Sequence, residues 1–582
     1  MESRRKERKD AQSSARIRGC FRDLRFLGIL PPLLAVLLVP CFVVAAPDSV
    51  FAVLRKEVVR IPLRDGTFLA GTLFLPEGNG PWPVVASCGP DIRRSRPHGS
   101  GLLVPGVSLS GDVLPGCLAC GADPESWTSF GYAVLLADSR GTGDSPGRWA
   151  FPGTRSGEDV ADLVAWAAGQ PWCDGAVGLW GVGLAAQEQW WGAALAPPSL
   201  RAVIALEGGI DLYRDLLFPG GIPAKGLWRA LSHLFRDESG LSSPEVLLFR
   251  ELDVSENPLH AFLYSPAYES SSLSPSAVTL PFLVGGRAVP GIPALRGSLE
   301  MYRNAPSPEK HLLLAASATL DPFFVGAFLE EQRRFFDAHL KRLPLREHRA
   351  DSVLLGCGNS SPEVRRETLW PGERTLWTRF YLNAAAGTLE TYATSPAEMS
   401  FSGGPETRVL FESAPFEEDS LFSGPVTAFL SLSSGRTELD VFVTVEVVGG
   451  TSCSSATIGE NQPGGRLLSG GWLRGSLRRL DPRRSERYFP FHGFSQMEPL
   501  TPGHPVEMTI ALSPLEALVR KGERLRVVLS ARPDASLAFL DLEKSPETGD
   551  GTIHTGGTPA RSYLVLPLVV PPEKFVPPLR ET

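Results

Sequence analysis

The chain has 582 residues and a formal net charge of −7, with 43% hydrophobic and 21% charged residues. That length is room for about three to four domains of ~150 residues, and the composition is that of a globular protein rather than a disordered or collagenous one. Without its first 25 residues the chain stands at −12, with no basic cluster to set against it, which excludes nucleic acid as a partner.

Residues 1–25 carry nine basic and four acidic side chains, and the uncharged run FLGILPPLLAVLLVPCFVVAA follows from Phe26 to Ala46. A basic segment, an apolar core and a small-residue end make a secretory signal or an uncleaved membrane anchor. The run of 21 residues is long enough to span a bilayer, so length does not separate the two. Pro31 and Pro32 weaken an anchor helix, and Val44-Ala45-Ala46 offers a cleavage site. Residues 1–50 are therefore set apart as a leader. Positive-inside logic places the rest outside the cytoplasm, whether secreted, periplasmic or membrane-anchored. Cysteines Cys88, Cys117, Cys120, Cys173, Cys357 and Cys453 lie beyond it. An oxidising compartment permits pairing, and for Cys88, Cys117 and Cys120 a local disulfide or free thiols are both open. No His or second Cys pair accompanies CLAC, so neither metal nor cofactor is expected.

After Lys56 come two alternating strands around an Arg-Asp-Gly turn, then the buried run PVVASC. The strand in GYAVLLADSRGTGDSPG ends in a glycine-rich loop without the G-K-[ST] ending of a phosphate loop. In SGEDVADLVAWAAGQPW, Ser156 and Asp159 make a capping-box pattern, and Val160, Leu163, Val164 and Ala167 give the helix one apolar face. GAVGLWGVGLAAQEQWWGAAL follows as strand, glycine-flanked turn and helix, and LRAVIALEG as a further strand. A helical, loop-rich stretch covers about 212–278; LPFLVGG, HLLLAA and FVGAFLEEQRRFFDAHLKR finish the unit. Strands alternating with helices predict a mostly parallel sheet with helices on both faces over 51–348. From 349 to 582 short alternating strands parted by Gly, Pro and Ser predict an all-β sandwich, a jelly roll.

The segments FGYAVLLADSRGTGDSPG, AWAAGQPWCDGAVGLWGVG and ALEGGIDLYRDLLFPGG, with GWLRGSLRRLDPRRSERYFPFHGFSQMEPLTPGHPVEMTIAL and HTGGTPARSYLVLPLV further on, resemble the cocaine-esterase / X-prolyl dipeptidyl-peptidase hydrolases. The likeness runs from about residue 56 to 571. It implies an α/β-hydrolase domain with a helical cap over the active site, a C-terminal jelly-roll domain, and serine-hydrolase chemistry on esters or amides.

That chemistry needs a serine at the strand-to-helix elbow, a histidine to take its proton and a carboxylate to hold the histidine. In the register the resemblance implies, Gly183 occupies the serine position, with Gln189 and Trp190 retained in the following helix. Val289 stands at the acid, Thr319 at the histidine, and Pro90 marks the place of the oxyanion tyrosine. Losing serine or histidine alone costs about as much as losing the whole triad, so joint loss is what coupling between them predicts. Substitutes are weighed and set aside. Ser139 and Ser145 belong to the structural glycine loop, and Asp321 to a turn or helix cap. His98 sits in a surface loop, His311 ahead of its strand, His339 in a terminal helix and His554 in the jelly roll.

Three functions follow. The first is an exported pseudoenzyme holding a small molecule or peptide in the vacated cleft beside Leu184 and Val289. The second is an acyl hydrolase with a non-standard catalytic set, and the third is binding through the jelly roll.

Overall fold

The computed structural model describes residues 53–94, 119–232, 263–317, 320–343, 353–357, 363–402, 407–449, 465–534 and most of 537–574. The leader with its apolar run, His98, Cys117, Thr319, Cys453 and the side chains of Asp321 and Cys357 lie outside them, as does the middle of the cap stretch. Among the described residues no helix is long and apolar enough to cross a membrane.

Two antiparallel strands, β1 (Val53–Pro62) and β2 (Phe68–Pro76), open the first sheet. The next are β3 (Trp82–Gly89), the two-residue β4 (Ala119–Cys120), β5 (Ala133–Asp138), β6 (Cys173–Gly183), β7 (Leu200–Leu206), β8 (Phe282–Arg287) and β9 (Lys310–Ala316). Their order across the sheet is β1-β2-β5-β3-β6-β7-β8-β9, parallel from β5 onward, with β4 laid antiparallel on β6. A strand covered on both faces reads as a continuous apolar run rather than an alternating one. β5 obeys this along its whole length, being buried at every residue.

Helix α1 (Pro124–Ser129) precedes β5, and α2 (Thr154–Ala168) and α3 (Leu184–Ala194) flank β6. The stripe Val160, Leu163, Val164 and Ala167 is fully buried, as its spacing predicts. The capping pattern sits differently from the sequence reading. The cap is Gly153, and Ser156, at the third helical position, accepts the Gly153 N–H at 2.9 Å. Asp159 is left free to take Arg140 in two-point contact at 2.8 and 2.6 Å. After β7 come α4 (Lys225–Ser232), α5 (Ala294–Asn304) and α6 (Gly326–His339).

The first sheet continues past residue 348, where the sequence placed the domain boundary. β10 (Val353–Cys357) runs parallel to β9, and β11 (Glu363–Glu367) pairs antiparallel with β10. VLLGC is a short apolar run, so it extends the parallel part of the first sheet beside β9 although its surroundings carry β-domain punctuation. His311 likewise lies inside β9 rather than ahead of it.

From Thr375 the strands build the β-rich C-terminal domain around the long strand Ser420–Ser434, which pairs with Val506–Val519, Gly551–Thr555 and Tyr563–Val569. Arg214 ties the two domains together. Its guanidinium donates to the carbonyls of His492 and Gly493 at 3.1 and 2.9 Å, and lies over the rings of Tyr264 and Phe491. Trp472 Nε1 donates to the Pro219 carbonyl at 2.7 Å.

Candidate active site at the carboxyl edge of the sheet

In open parallel sheets, ligands meet the carboxyl ends of the strands, and Gly183, Val289 and Pro90 follow or close strands at that edge. β6 passes into α3 at Gly183, whose φ of 63° and ψ of −126° place it in a conformation that favours glycine. A Cβ on Gly181 would stand 2.7 Å from the Ala186 nitrogen, so the strand end and the helix start pack backbone to backbone. This is the geometry of a nucleophile elbow, and at its tip stands a residue with no side chain. β4 pairs across it, Ala119 opposite Gly183 and Cys120 opposite Val182. Cys120 is disulfide-bonded, so its sulfur is not a thiol there, whereas Cys88 and Cys173 are buried free thiols.

Val289 lies two residues past β8 and is buried, Leu184 is buried at the start of α3, and Pro90 is buried just past β3. The structure describes β9 and Ser317 but not Thr319. The edge carries a charge pair that the sequence reading did not single out. Val182 is opposite Leu206, so the next residue, Glu207, comes level with Gly183. Arg287 at the end of β8 donates to it through Nε at 2.6 Å, Nη2 at 2.9 Å and its backbone N–H at 3.1 Å. Both side chains are buried. A Cβ on Gly286 would lie 2.9 Å from the Glu207 Cγ, which accounts for the second glycine of GGR. The visible signals were a charge closing each of two apolar strands, ALE and GGR.

A second buried carboxyl stands on α3. Glu188 receives the Ser139 hydroxyl at 2.7 and 2.6 Å, and Ser139 Oγ lies 3.9 Å from the Cys88 sulfur. Burial pushes the Glu188 carboxyl up to about 7, against the hydrogen bonds of Ser139, Cys88 and Trp149. Ser139 is itself 4% exposed. Ser145 donates to the Asp138 carbonyl and accepts the Ala70 N–H, both within 2.8 Å. These serines hold loop to sheet. Gln189 docks α3 on β3 by donating to the Cys88 carbonyl at 2.6 Å.

The candidate histidines among the described residues are engaged elsewhere. His311 and His339 converge on Glu309 at 2.9 and 3.2 Å; burial opposes the charge, yet the two rings bring that carboxyl down to about 2. In the β domain, His554 Nε2 lies 2.8 Å from the Ser433 hydroxyl and Nδ1 2.8 Å from Glu398. Among the described residues no group of three or more His, Cys, Asp or Glu is placed to hold a metal.

A mostly parallel sheet ending in an elbow, joined to a β-rich C-terminal domain, defines an α/β-hydrolase with an appended β domain. Residues 65–246 match the X-Pro dipeptidyl-peptidase (S15 family), and residues 349–562 the X-Pro dipeptidyl-peptidase C-terminal non-catalytic domain. The chain belongs to this cocaine-esterase / X-prolyl dipeptidyl-peptidase family. It is 33% identical over 167 residues to the cocaine esterase of a Rhodococcus species, a match covering 28% of this chain and 25% of that one. A CocE/NonD family hydrolase from Staphylococcus aureus superposes with a TM-score of 0.75 at 25% identity, over 88% of this chain and 94% of that one. An α-amino acid ester hydrolase superposes with a TM-score of 0.65 at 16% identity, over 93% of this chain and all of that one, a likeness of fold alone.

Proposed function

We propose that this member of the hydrolase family performs no acyl transfer at the family site and acts by binding. The observation that carries the reading is Gly183 at the tip of an intact elbow. The fold keeps the turn that aims a nucleophile, while the residue there has no atom to attack with. Val289, buried and apolar, supplies no carboxylate at the acid position. An oxyanion donor is worth about 10²–10³ in rate, and the backbone alone does not replace a nucleophile and its base. The bound species would be a small molecule or peptide.

A second reading, an acyl hydrolase with a catalytic set outside the family positions, is favoured by the order Ser433–His554–Glu398. Its two hydrogen bonds repeat the serine–base–orienter sequence. Against it, Ser433 lies within a long strand and is 6% exposed, with no glycine turn to present it.

A fluorophosphonate probe separates the two. The expected result is no labelling of the wild type and no turnover of p-nitrophenyl esters or X-Pro amides. Labelling abolished by Ser433→Ala would establish the second reading and defeat the first. Gly183→Ser alone is expected to stay inert, and Gly183→Ser with Val289→Asp and Thr319→His to be a poor esterase at best, since the oxyanion tyrosine is also missing.

Export is part of the same proposal, supported by the basic segment and apolar run of residues 1–46. A reporter active only in the cytoplasm, fused after residue 60, is expected to give no signal; a bright signal would sink the assignment.

A further inference from the structure

A cavity of about 230 Å³ lies between α5 and the β domain, on residues other than Gly183, Leu184 and Val289. Leu295, Arg296 and Leu299 of α5 form one wall; Trp370, Trp472, Tyr488, Phe489 and Phe491 supply most of the aromatic remainder. The rings are braced by charge: the Arg303 guanidinium sits 3.3 Å over Phe489 and that of Arg484 3.5 Å over Phe491. Such bracing fixes ring planes and leaves flat apolar surface facing the space between them.

Three buried polar atoms of residues that line the cavity have no hydrogen-bond partner among the described residues: Arg296 Nη2, Trp370 Nε1 and His492 Nε2. Trp370 is 4% and His492 8% exposed. Native proteins leave few buried polar groups unpaired, and three beside one cavity call for an explanation. The rest of each group is spoken for. Arg296 uses Nε on Asp215 and Nη1 on Glu300, and the other ring nitrogen of His492 bonds the Thr509 backbone. Arg214, Arg296, Arg303 and Arg484 are answered by Asp211, Asp215, Glu300 and Glu486. Arg296 Nη2 and Trp370 Nε1 are spare N–H donors. Burial keeps the His492 ring neutral with its proton toward the Thr509 backbone, which leaves Nε2 an acceptor. Acceptor oxygens on a ligand answer the two donors.

We infer that this interdomain cavity binds a small planar aromatic acid, its ring between the aromatic walls and its carboxylate toward the spare donors of Arg296 and Trp370. The volume is below the 300–1,000 Å³ of drug-sized pockets and suits about a dozen non-hydrogen atoms. The inference deepens the binding reading above by naming a ligand class and moving its seat from the vacated cleft to the domain interface.

Isothermal titration of the full chain with phenylacetate and indole-3-acetate tests it, with 2-phenylethanol as the uncharged control. Both acids are expected to bind saturably below millimolar concentration, and the alcohol at least tenfold more weakly. Trp370→Phe keeps an aromatic, if smaller, side chain, removes one donor and should weaken the acids about tenfold. Leu299→Trp fills the cavity and should abolish binding, with circular dichroism confirming that the variant is folded. No binding of either acid at 10 mM, equal binding of the alcohol, or acid binding indifferent to both variants would overturn the inference. Binding lost in Val289→Phe but kept in Leu299→Trp would overturn it too, while leaving the non-catalytic binding reading standing.

Discussion

Arg287→Met is expected to destabilise the α/β domain by about 3–5 kcal/mol, because it strands the Glu207 carboxylate in the core. The Arg287 side chain is 1% exposed and that of Glu207 6%. Three donations converge on Glu207 from this one residue, and Met would fill the volume while offering none of them. Adding Glu207→Leu should recover most of the loss, since a buried ion pair replaced as a whole by apolar groups is often neutral or stabilising. Glu207 already adopts a φ of 50°, and Leu inherits that backbone strain without adding to it. Urea unfolding followed by tryptophan fluorescence measures both variants. A single-variant loss below about 1 kcal/mol would show that water reaches the pair and that it does not organise the sheet edge.

The pair also shows what in this fold was legible beforehand. Continuous apolar runs such as AVLLAD and HLLLAA announce buried parallel strands directly, because each is covered on both faces and the pattern is local. The elbow was legible for a similar reason: GVG between an apolar strand and a helix is a local signature, and Gly183 stands at that turn. Glu207 and Arg287 are 80 residues apart, and nothing local distinguishes either from a charge at the end of a strand. Only the β7–β8 pairing brings them together. The place of VLLGC was illegible for the same reason, since whether it joins the first sheet or the second is decided by its neighbour β9. The interdomain cavity was illegible throughout. Its walls come from α5 and from segments near residues 370, 470 and 490, and no sequence pattern links them.

Glu188→Gln should flatten the pH dependence of stability between about pH 5 and 8. Burial holds the folded carboxyl near 7 instead of its ordinary 4.5, with the hydrogen bonds from Ser139, Cys88 and Trp149 only partly offsetting it. A carboxyl whose folded pKa is raised binds its proton more tightly when folded than when unfolded. Its contribution is therefore complete below about pH 4.5 and is lost as pH climbs through about 7. The difference between the two pKa values corresponds to about 3 kcal/mol at its limit. Gln carries no charge at either end of that range and still offers an acceptor to the Ser139 hydroxyl, so the variant gives up the decline without losing that bond. Asp138, Asp159 and Asp215 also have raised pKa values, each chiefly through burial, so the wild type slopes for several reasons. Only the difference between wild type and variant isolates Glu188. That difference should grow in the variant's favour from pH 5 to pH 8, and parallel curves would show that Glu188 is not the buried acid. Because Glu188 lies on the helix that starts at Gly183, the same titration acts on the element that shapes the elbow. Wild-type protein above pH 7 should then exchange the amide protons of α3 faster than the Gln variant does.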